Sequence, residues 1–171
     1  MPRSMQKLLN DCGILIYNFP SHIDYSKIAE RCVAQCKQHL PNIPVMSVGS
    51  PITGADAHYD LDFPQQNKKV FGNQTRTWHN LARHLSFEIS PWYSTVVIDA
   101  DYMVMTDQLS KLFASDQQIM MHREWYDVAN DKVDVIRLGT SAIDMLWATV
   151  LKFDRTHQVQ EFFVLWQSVI K

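Results

Sequence analysis

The sequence is poor in the residues on which several large classes of protein depend. It has three cysteines and five scattered glycines in 171 residues. Three cysteines are too few for a disulfide framework, and an odd number is typical of reduced thiols in a cytoplasmic protein. Because no Gly-rich phosphate loop is present, the sequence argues against P-loop NTPases, kinases and Rossmann dehydrogenases.

Charge and hydropathy argue against two further classes. The formal net charge is −2, so the chain lacks the basic balance that binds phosphates, and we expect no nucleic-acid partner. No apolar run approaches the ~20 residues of a membrane-spanning helix, and the short run at 12–19 does not have the pattern of a signal peptide. The composition is 46% hydrophobic and 20% charged, which predicts one globular domain at this length.

Patterns of strand and helix alternate along the chain. Apolar, β-branched runs predict strands at residues 13–17, 45–48, 95–98, 119–121 and 145–153. Apolar residues at helical spacing predict helices at residues 25–40, 73–89, 106–113 and 156–170. The Gly, Pro and Asp residues of 49–73 predict a long loop, and 122–140 has no regular pattern. This alternation predicts a three-layer α/β/α sandwich with a mostly parallel sheet.

The stretch with the clearest chemical content is the strand at 95–98 and the two aspartates that follow it. The strand is a continuous apolar run, which is typical of a strand covered on both faces of a parallel sheet. Asp99 and Asp101 come directly after it, and such sheets bind ligands beyond the carboxyl ends of their strands. If the chain stays extended past Ile98, both carboxylates point the same way, and a divalent cation would offset their repulsion.

The same residues have a purely structural interpretation. Asp99 would then end the strand by accepting backbone N–H bonds, and Asp101 would be solvated. Because Asp-x-Asp is short and frequent by chance, the pattern alone leaves both interpretations open. Two other acidic regions have no secure role. The loop 56–62 is predicted to face solvent or cover a substrate. Asp144 is predicted to lie in a surface turn, with an acid that faces the ligand cleft as the alternative.

The segment around the two aspartates resembles a known family. Residues 90–101, Ser-Pro-Trp-Tyr-Ser-Thr-Val-Val-Ile-Asp-Ala-Asp, resemble the SPY…T…LDAD segment of nucleotide-sugar-dependent glycosyltransferases of the GT-A fold. Arg76, Trp78 and the strand residues 146–150 also fit that pattern. The resemblance extends from Gly13 onward and is closest to phage and bacterial glycosyltransferases of a glycogenin-like superfamily. Only its Asp-x-Asp segment is specific.

The resemblance implies a metal-dependent enzyme that transfers a sugar from a nucleotide diphosphate to an unknown acceptor. A UDP-sugar is the first candidate for the donor. In that family the aspartate pair holds Mn²⁺ or Mg²⁺, which implies a metal site at Asp99 and Asp101, with Ala100 between them in the donor site. The metal stabilises the charge that develops on the departing diphosphate. The family also places donor contacts after the first strand, here Tyr17 and Asn18, where an aromatic ring could stack on the base. A core tyrosine is the alternative.

Arg76 is a further candidate for donor binding. It falls near the start of the helix predicted at 73–89, where free N–H groups and the helix dipole favour anions. The alternative is an isolated, solvated surface arginine, because Arg is mostly found exposed in folded proteins.

The sequence ends at Lys171, inside the amphipathic pattern of its last helix. Members of the family often supply a third metal or diphosphate ligand, frequently His, and their acceptor site from a segment near the C-terminus. We therefore expect residues 1–171 to form a single donor-binding domain. Two alternatives stay open. One is a catalytically incomplete domain that binds a sugar nucleotide or a protein partner, including a second copy of itself. The other is a sugar nucleotidyltransferase. Such an enzyme would carry a Gly-rich, basic loop after the first strand, and residues 18–22 are neither Gly-rich nor basic.

Overall fold

The computed structural model of the chain describes residues 11–19, 24–62, 66–71, 74–79, 81–122 and 147–170. The strands in these residues are β1 Cys12–Asn18, β2 Val45–Gly49, β3 Ala57–Tyr59, β4 Gln66–Phe71, β5 Gln74–His79, β6 Ser94–Asp99, β7 Ile119–His122 and β8 Trp147–Asp154. The helices are α1 Ser26–His39, α2 Ser86–Ile89, α3 Ser110–Phe113 and α4 His157–Ile170. Two 3₁₀ turns, Leu81–Leu85 and Asp107–Leu109, lead into α2 and α3.

Six of these strands form one mixed sheet in the order β3-β2-β1-β6-β8-β7, and β4 pairs with β5 in a separate two-stranded sheet. The pairs β1–β2, β1–β6 and β2–β3 are parallel, whereas β8 runs antiparallel to both β6 and β7. β1 is buried throughout and β6 is buried up to Ile98, as their continuous apolar runs predicted. The mostly parallel sheet of the prediction is confirmed.

Helices cover both faces of this sheet. Because side chains alternate along a strand, consecutive residues of β1 enter different apolar clusters. Ile14 packs in one cluster with Val33 of α1, and Leu15 packs in the other with Phe163 of α4. The second cluster contains three mutually close aromatic rings with centroids 5.0 to 5.9 Å apart, those of Phe87, Phe153 and Phe163. The three-layer α/β/α arrangement is thus confirmed.

Two predictions for the segment between β2 and β6 are wrong. Residues 49–73 are not one loop, because β3 extends the main sheet beside β2, and β4 follows it. Residues 74–79, predicted as the first turns of a helix, form β5 in antiparallel pairing with β4. Helical structure begins only at Leu81. Cross-strand pairing decides the structure here, since a segment with Thr and Trp residues accepts the extended conformation readily.

The other predicted elements are present where the chain is described. Thr106 caps the turn before α3 by accepting from Gln108 N at 3.3 Å, and Thr156 caps α4 by accepting from Val159 N at 3.4 Å. Residues 123–146 lie outside the described residues, so the predictions for Asp144 and for most of 122–140 are not tested. Among the described residues, no helix has the length and apolar character that crossing a membrane requires.

Candidate functional site

Asp99 is the last residue of β6, and the chain turns directly after it. Tyr102 N donates to Asp99 O at 3.1 Å, so Ala100 and Asp101 occupy the middle of a turn. The thiol of Cys32 on α1 lies 3.8 Å from the same carbonyl oxygen. The chain therefore does not stay extended past Asp99, which was the condition for both carboxylates to point the same way: Asp99 is half-buried at the strand end, and Asp101 is exposed in the turn.

Arg83 forms an ion pair with Asp99, between guanidinium Nη2 and carboxylate Oδ1. Arg83 lies in the 3₁₀ turn Leu81–Leu85, and the side chains of Arg83 and Asp99 are 12% and 21% exposed. Burial lowers the pKa of Arg83, while the nearby Tyr17 and Asp101 raise it in part. Both carboxylates of the Asp-x-Asp pair thus act on one cation. No sequence pattern pointed to Arg83, because an ion pair between distant elements has no local signature.

Tyr17 lies beside Asp99 in the parallel register of β1 and β6. It is 5% exposed, and its hydroxyl lies 2.9 Å from Ser86 Oγ and donates to Ala82 O at 3.3 Å. Burial raises the pKa of Tyr17 to about 12, so the hydroxyl stays protonated at neutral pH. This is the core tyrosine of the alternative interpretation, and its buried ring is not presented to a nucleotide base. Its contacts hold the segment that carries Arg83 against the sheet.

The ends of β1 and β2 meet at the same edge of the sheet as Asp99. Ser50 N donates to Asn18 O at 2.6 Å, and Asn18 Nδ2 donates to Ser50 O at 3.4 Å. Gly49 has a φ of 93°, and a Cβ there would lie 2.6 Å from Asn18 O, so this close approach requires glycine. The amide of Asn18 is therefore used within the fold, where it joins the end of β1 to the residue that follows β2.

Arg76 does not lie at a helix N-terminus. Its backbone belongs to β5, opposite Lys69 of β4, in the separate two-stranded sheet. The helix N-terminus that was expected to favour an anion at Arg76 is not formed, because residues 74–79 are a strand. The structure thus brings Tyr17, Asp99 and Asp101 together at one sheet edge and places Arg76 in the two-stranded sheet of β4 and β5. Donor binding by Arg76 stays a prediction.

Among the described residues at this edge, the side chains that could coordinate a metal ion are the two carboxylates of Asp99 and Asp101. Within the described ranges, no group of three or more His, Cys, Asp or Glu side chains could hold a metal ion. Mg²⁺ is commonly bound by one or two carboxylates together with water and substrate phosphates, and Mn²⁺ also prefers oxygen ligands. Asp99 and Asp101 therefore fit a cation shared with a phosphate ligand, and they do not fit a closed site made of protein side chains alone.

A cavity of about 330 Å³ lies at the opposite edge of the sheet, where Cys12 begins β1 and Ser94 begins β6. The length of β6 separates this cavity from Asp99, so it is not part of the candidate site. Burial, with help from Asp154 and Asp11, raises the pKa of Cys12 to about 11. The thiol is therefore protonated at neutral pH and is not an activated nucleophile.

Comparison with solved structures places this geometry in a fold class. The chain is similar to the glycosyltransferase GlyE of Streptococcus pneumoniae TIGR4, with a TM-score of 0.57 and 15% identity over 92% of this chain and 37% of that chain. The apo-form of GlyE gives a TM-score of 0.51 and 15% identity over 94% and 37%. A weaker likeness, with a TM-score of 0.46 and 10% identity over 93% and 76%, is to 4-diphosphocytidyl-2C-methyl-D-erythritolsynthase from Anaerococcus prevotii DSM 20548.

The chain therefore has a glycosyltransferase-like α/β fold, as the resemblance of residues 90–101 implied. At 15% identity this likeness is one of fold, and the chain spans 37% of the length of the streptococcal chains. No protein-family model and no curated protein matches the chain.

Proposed function

We propose that the chain is the donor-binding domain of a metal-dependent glycosyltransferase. It would take a sugar from a nucleotide diphosphate, with a UDP-sugar as the first candidate, and transfer it to an acceptor. The observation that carries this proposal is the pair Asp99 and Asp101 at the end of β6, beside the cation of Arg83, in a glycosyltransferase-like fold. The carboxyl edge of a parallel sheet is where α/β folds of this kind bind ligands.

Each residue at this edge has its own part in the proposed site. Asp99 and Asp101 would hold Mn²⁺ or Mg²⁺, while Ala100, buried in the core, fixes the turn between them. The metal, when bound, supplies a Lewis acid that stabilises the negative charge of the leaving diphosphate. Tyr17 has a positioning role, because its hydroxyl contacts the Ala82 carbonyl on one side of Arg83 and the Ser86 hydroxyl on the other.

Calorimetric titration with UDP, with and without Mn²⁺, tests the proposal. We expect binding that depends on Mn²⁺ and that weakens at least about tenfold, or ~1.4 kcal/mol, in Asp101→Asn. Asp116→Asn is the matched control, because it removes the same charge from an exposed residue at the opposite edge. UDP binding that ignores Mn²⁺, or equal affinities in Asp101→Asn and wild type, would contradict the proposal.

Turnover separates an enzyme from a binding domain. With Mn²⁺ and a UDP-sugar, an active transferase should release UDP slowly by hydrolysis, because water takes the place of the acceptor. UDP-glucose, UDP-galactose and UDP-N-acetylglucosamine form a suitable first panel. Metal-dependent binding without UDP release from any of them favours the binding domain. Pyrophosphate release from a nucleoside triphosphate and a sugar phosphate favours the nucleotidyltransferase.

A further inference from the structure

Arg83 holds Asp99 in the way that a bound cation would. Its guanidinium pairs with carboxylate Oδ1, and both side chains are largely withdrawn from solvent. A carboxylate oxygen that is engaged by a guanidinium presents less of its charge to a metal ion. The candidate site thus contains a cation of its own, supplied by a different element of the fold from the one that carries the two aspartates.

The charges at this edge determine what a divalent cation would meet there. Asp99 and Asp101 carry two negative charges, and Arg83 offsets one of them. A divalent cation is attracted by the carboxylates but repelled by the guanidinium, in a partly buried region where solvent screening is weak. A diphosphate has the opposite preference, because the planar fork of an arginine matches phosphate oxygens with two hydrogen bonds.

We propose that Arg83 is an exchangeable counter-ion of Asp99 that couples cation binding to nucleotide binding. Asp99 turns to the cation as the Arg83 guanidinium turns to the diphosphate, so the ion pair between them is replaced by two new ionic contacts. Cation binding alone is weak, because the guanidinium repels the cation until the diphosphate neutralises it. This inference rests on the proposed function and adds to it a role for Arg83 in linking the two binding events.

The contacts around Arg83 hold its backbone in place, so the exchange requires only that its side chain changes direction. Tyr17 binds the segment on both sides of Arg83, at Ala82 O and at Ser86 Oγ, so the backbone there is anchored to β1. Asp101 lies in the exposed turn and is close enough to raise the pKa of Arg83. The guanidinium therefore keeps a carboxylate neighbour while it leaves Asp99.

Titration of wild type and Arg83→Gln with Mn²⁺ alone, and then with UDP at saturating Mn²⁺, tests the exchange. We expect Arg83→Gln to bind Mn²⁺ alone roughly tenfold more tightly, a change of ~1.4 kcal/mol, because a repelling charge is removed and Asp99 is freed. The same variant should bind UDP about tenfold more weakly. Opposite shifts in one variant cannot come from a general loss of structure, which lowers both affinities. Lys111→Gln removes the same charge from an exposed position on α3 and should change neither.

Asp99→Asn tests the exchange from the other side and remains informative if Arg83→Gln folds poorly by circular dichroism. It should lose Mn²⁺ affinity, yet bind UDP without metal several-fold more tightly than wild type, because Arg83 no longer pairs with a carboxylate at that position. Unchanged or weaker Mn²⁺ binding in a folded Arg83→Gln, or unchanged metal-free UDP binding in Asp99→Asn, overturns the exchange alone. Failure of wild type to bind UDP with Mn²⁺ overturns the proposed function, and the exchange with it.

Discussion

The phenol of Tyr17 and the hydroxyl of Ser86 lie 2.9 Å apart inside the protein, and they join the carboxyl end of β1 to α2. Tyr17 also donates to Ala82 O, so its one hydroxyl contacts the chain on both sides of Arg83. A contact within the core therefore sets the position of the cation at the candidate site. Changes at Tyr17 are expected to affect both stability and ligand binding for this reason.

Tyr17→Phe should lower the free energy of unfolding by roughly 1–2 kcal/mol, because the buried Ser86 hydroxyl and Ala82 carbonyl lose a hydrogen-bond partner. Urea unfolding followed by circular dichroism measures this change. Tyr93→Phe provides the control, since Tyr93 is exposed and its substitution should cost less than about 0.5 kcal/mol. The proposed anchoring would be wrong if the two substitutions cost the same.

Tyr17 also predicts how stability changes at alkaline pH. Its pKa rises from 10.0 to about 12 on folding, because burial disfavours the phenolate. The unfolded chain therefore loses this proton first, and stability should fall by up to about 2.7 kcal/mol between pH 10 and 12, with no such loss below pH 10. Urea midpoints across this range should decline less steeply for Tyr17→Phe than for wild type.

Cys12 and Tyr93 provide internal controls for the contribution of Tyr17 to this pH dependence. Cys12, whose pKa burial raises from 9.0 to about 11, should begin a separate decline nearer pH 9 in every variant. Tyr93→Phe should follow the wild-type curve throughout, because Tyr93 is exposed. Parallel curves for Tyr17→Phe and wild type above pH 10 would show that Tyr17 does not titrate as its burial requires.

Lys152 is a buried cation on β8 whose loss should be costly. Its Nζ lies 2.7 Å from Asp154 Oδ2 and also donates to the carbonyl oxygens of Ser115 and Gln117. Lys152→Met should lower the unfolding free energy by roughly 3–5 kcal/mol, because it leaves the carboxylate of Asp154 without its cation. Adding Asp154→Asn should recover part of this loss. Lys111→Met, at an exposed site, should change stability by less than about 0.5 kcal/mol in the same urea experiment.

The indole of Trp92 packs directly against Gly13 of β1, and a Cβ at residue 13 would overlap that ring. Gly13→Ala should therefore cost roughly 1–3 kcal/mol of stability through overpacking. In a Trp92→Leu background the same substitution should cost less, because the smaller side chain leaves space. Thermal or urea unfolding of the four proteins gives the comparison. Simple additivity of the two single costs would show that the residues do not compete for this volume.

Elements with a strong local pattern could be predicted from the sequence. The β-branched run of β6 and the apolar stripe of α1 each contain enough information to specify a strand or a helix. Residues 74–79 could not be predicted in this way, because Trp78 shares a helical period with Ala82 and Leu85. The strand forms through pairing with β4, and such pairing depends on residues outside the local window.

The candidate site was only partly visible in the sequence for the same physical reason. Asp99 and Asp101 stand in a short motif directly after a strand, so local pattern and motif both identify them. The turn that contains Ala100 and Asp101 has no Gly or Pro from which it could be predicted. Arg83 comes from another element and meets Asp99 only when the sheet and the 3₁₀ turn pack together.

The strand order has a consequence for how this protein is made. Within the described strands, β7 pairs only with β8, although β8 is synthesised later and lies between β6 and β7. As the chain leaves the ribosome, β1, β2, β3 and β6 can associate first, whereas β7 must wait. Until β8 arrives, β6 presents an open edge that a second nascent chain could pair with. Aggregation during synthesis should therefore depend on how quickly residues 147–154 follow.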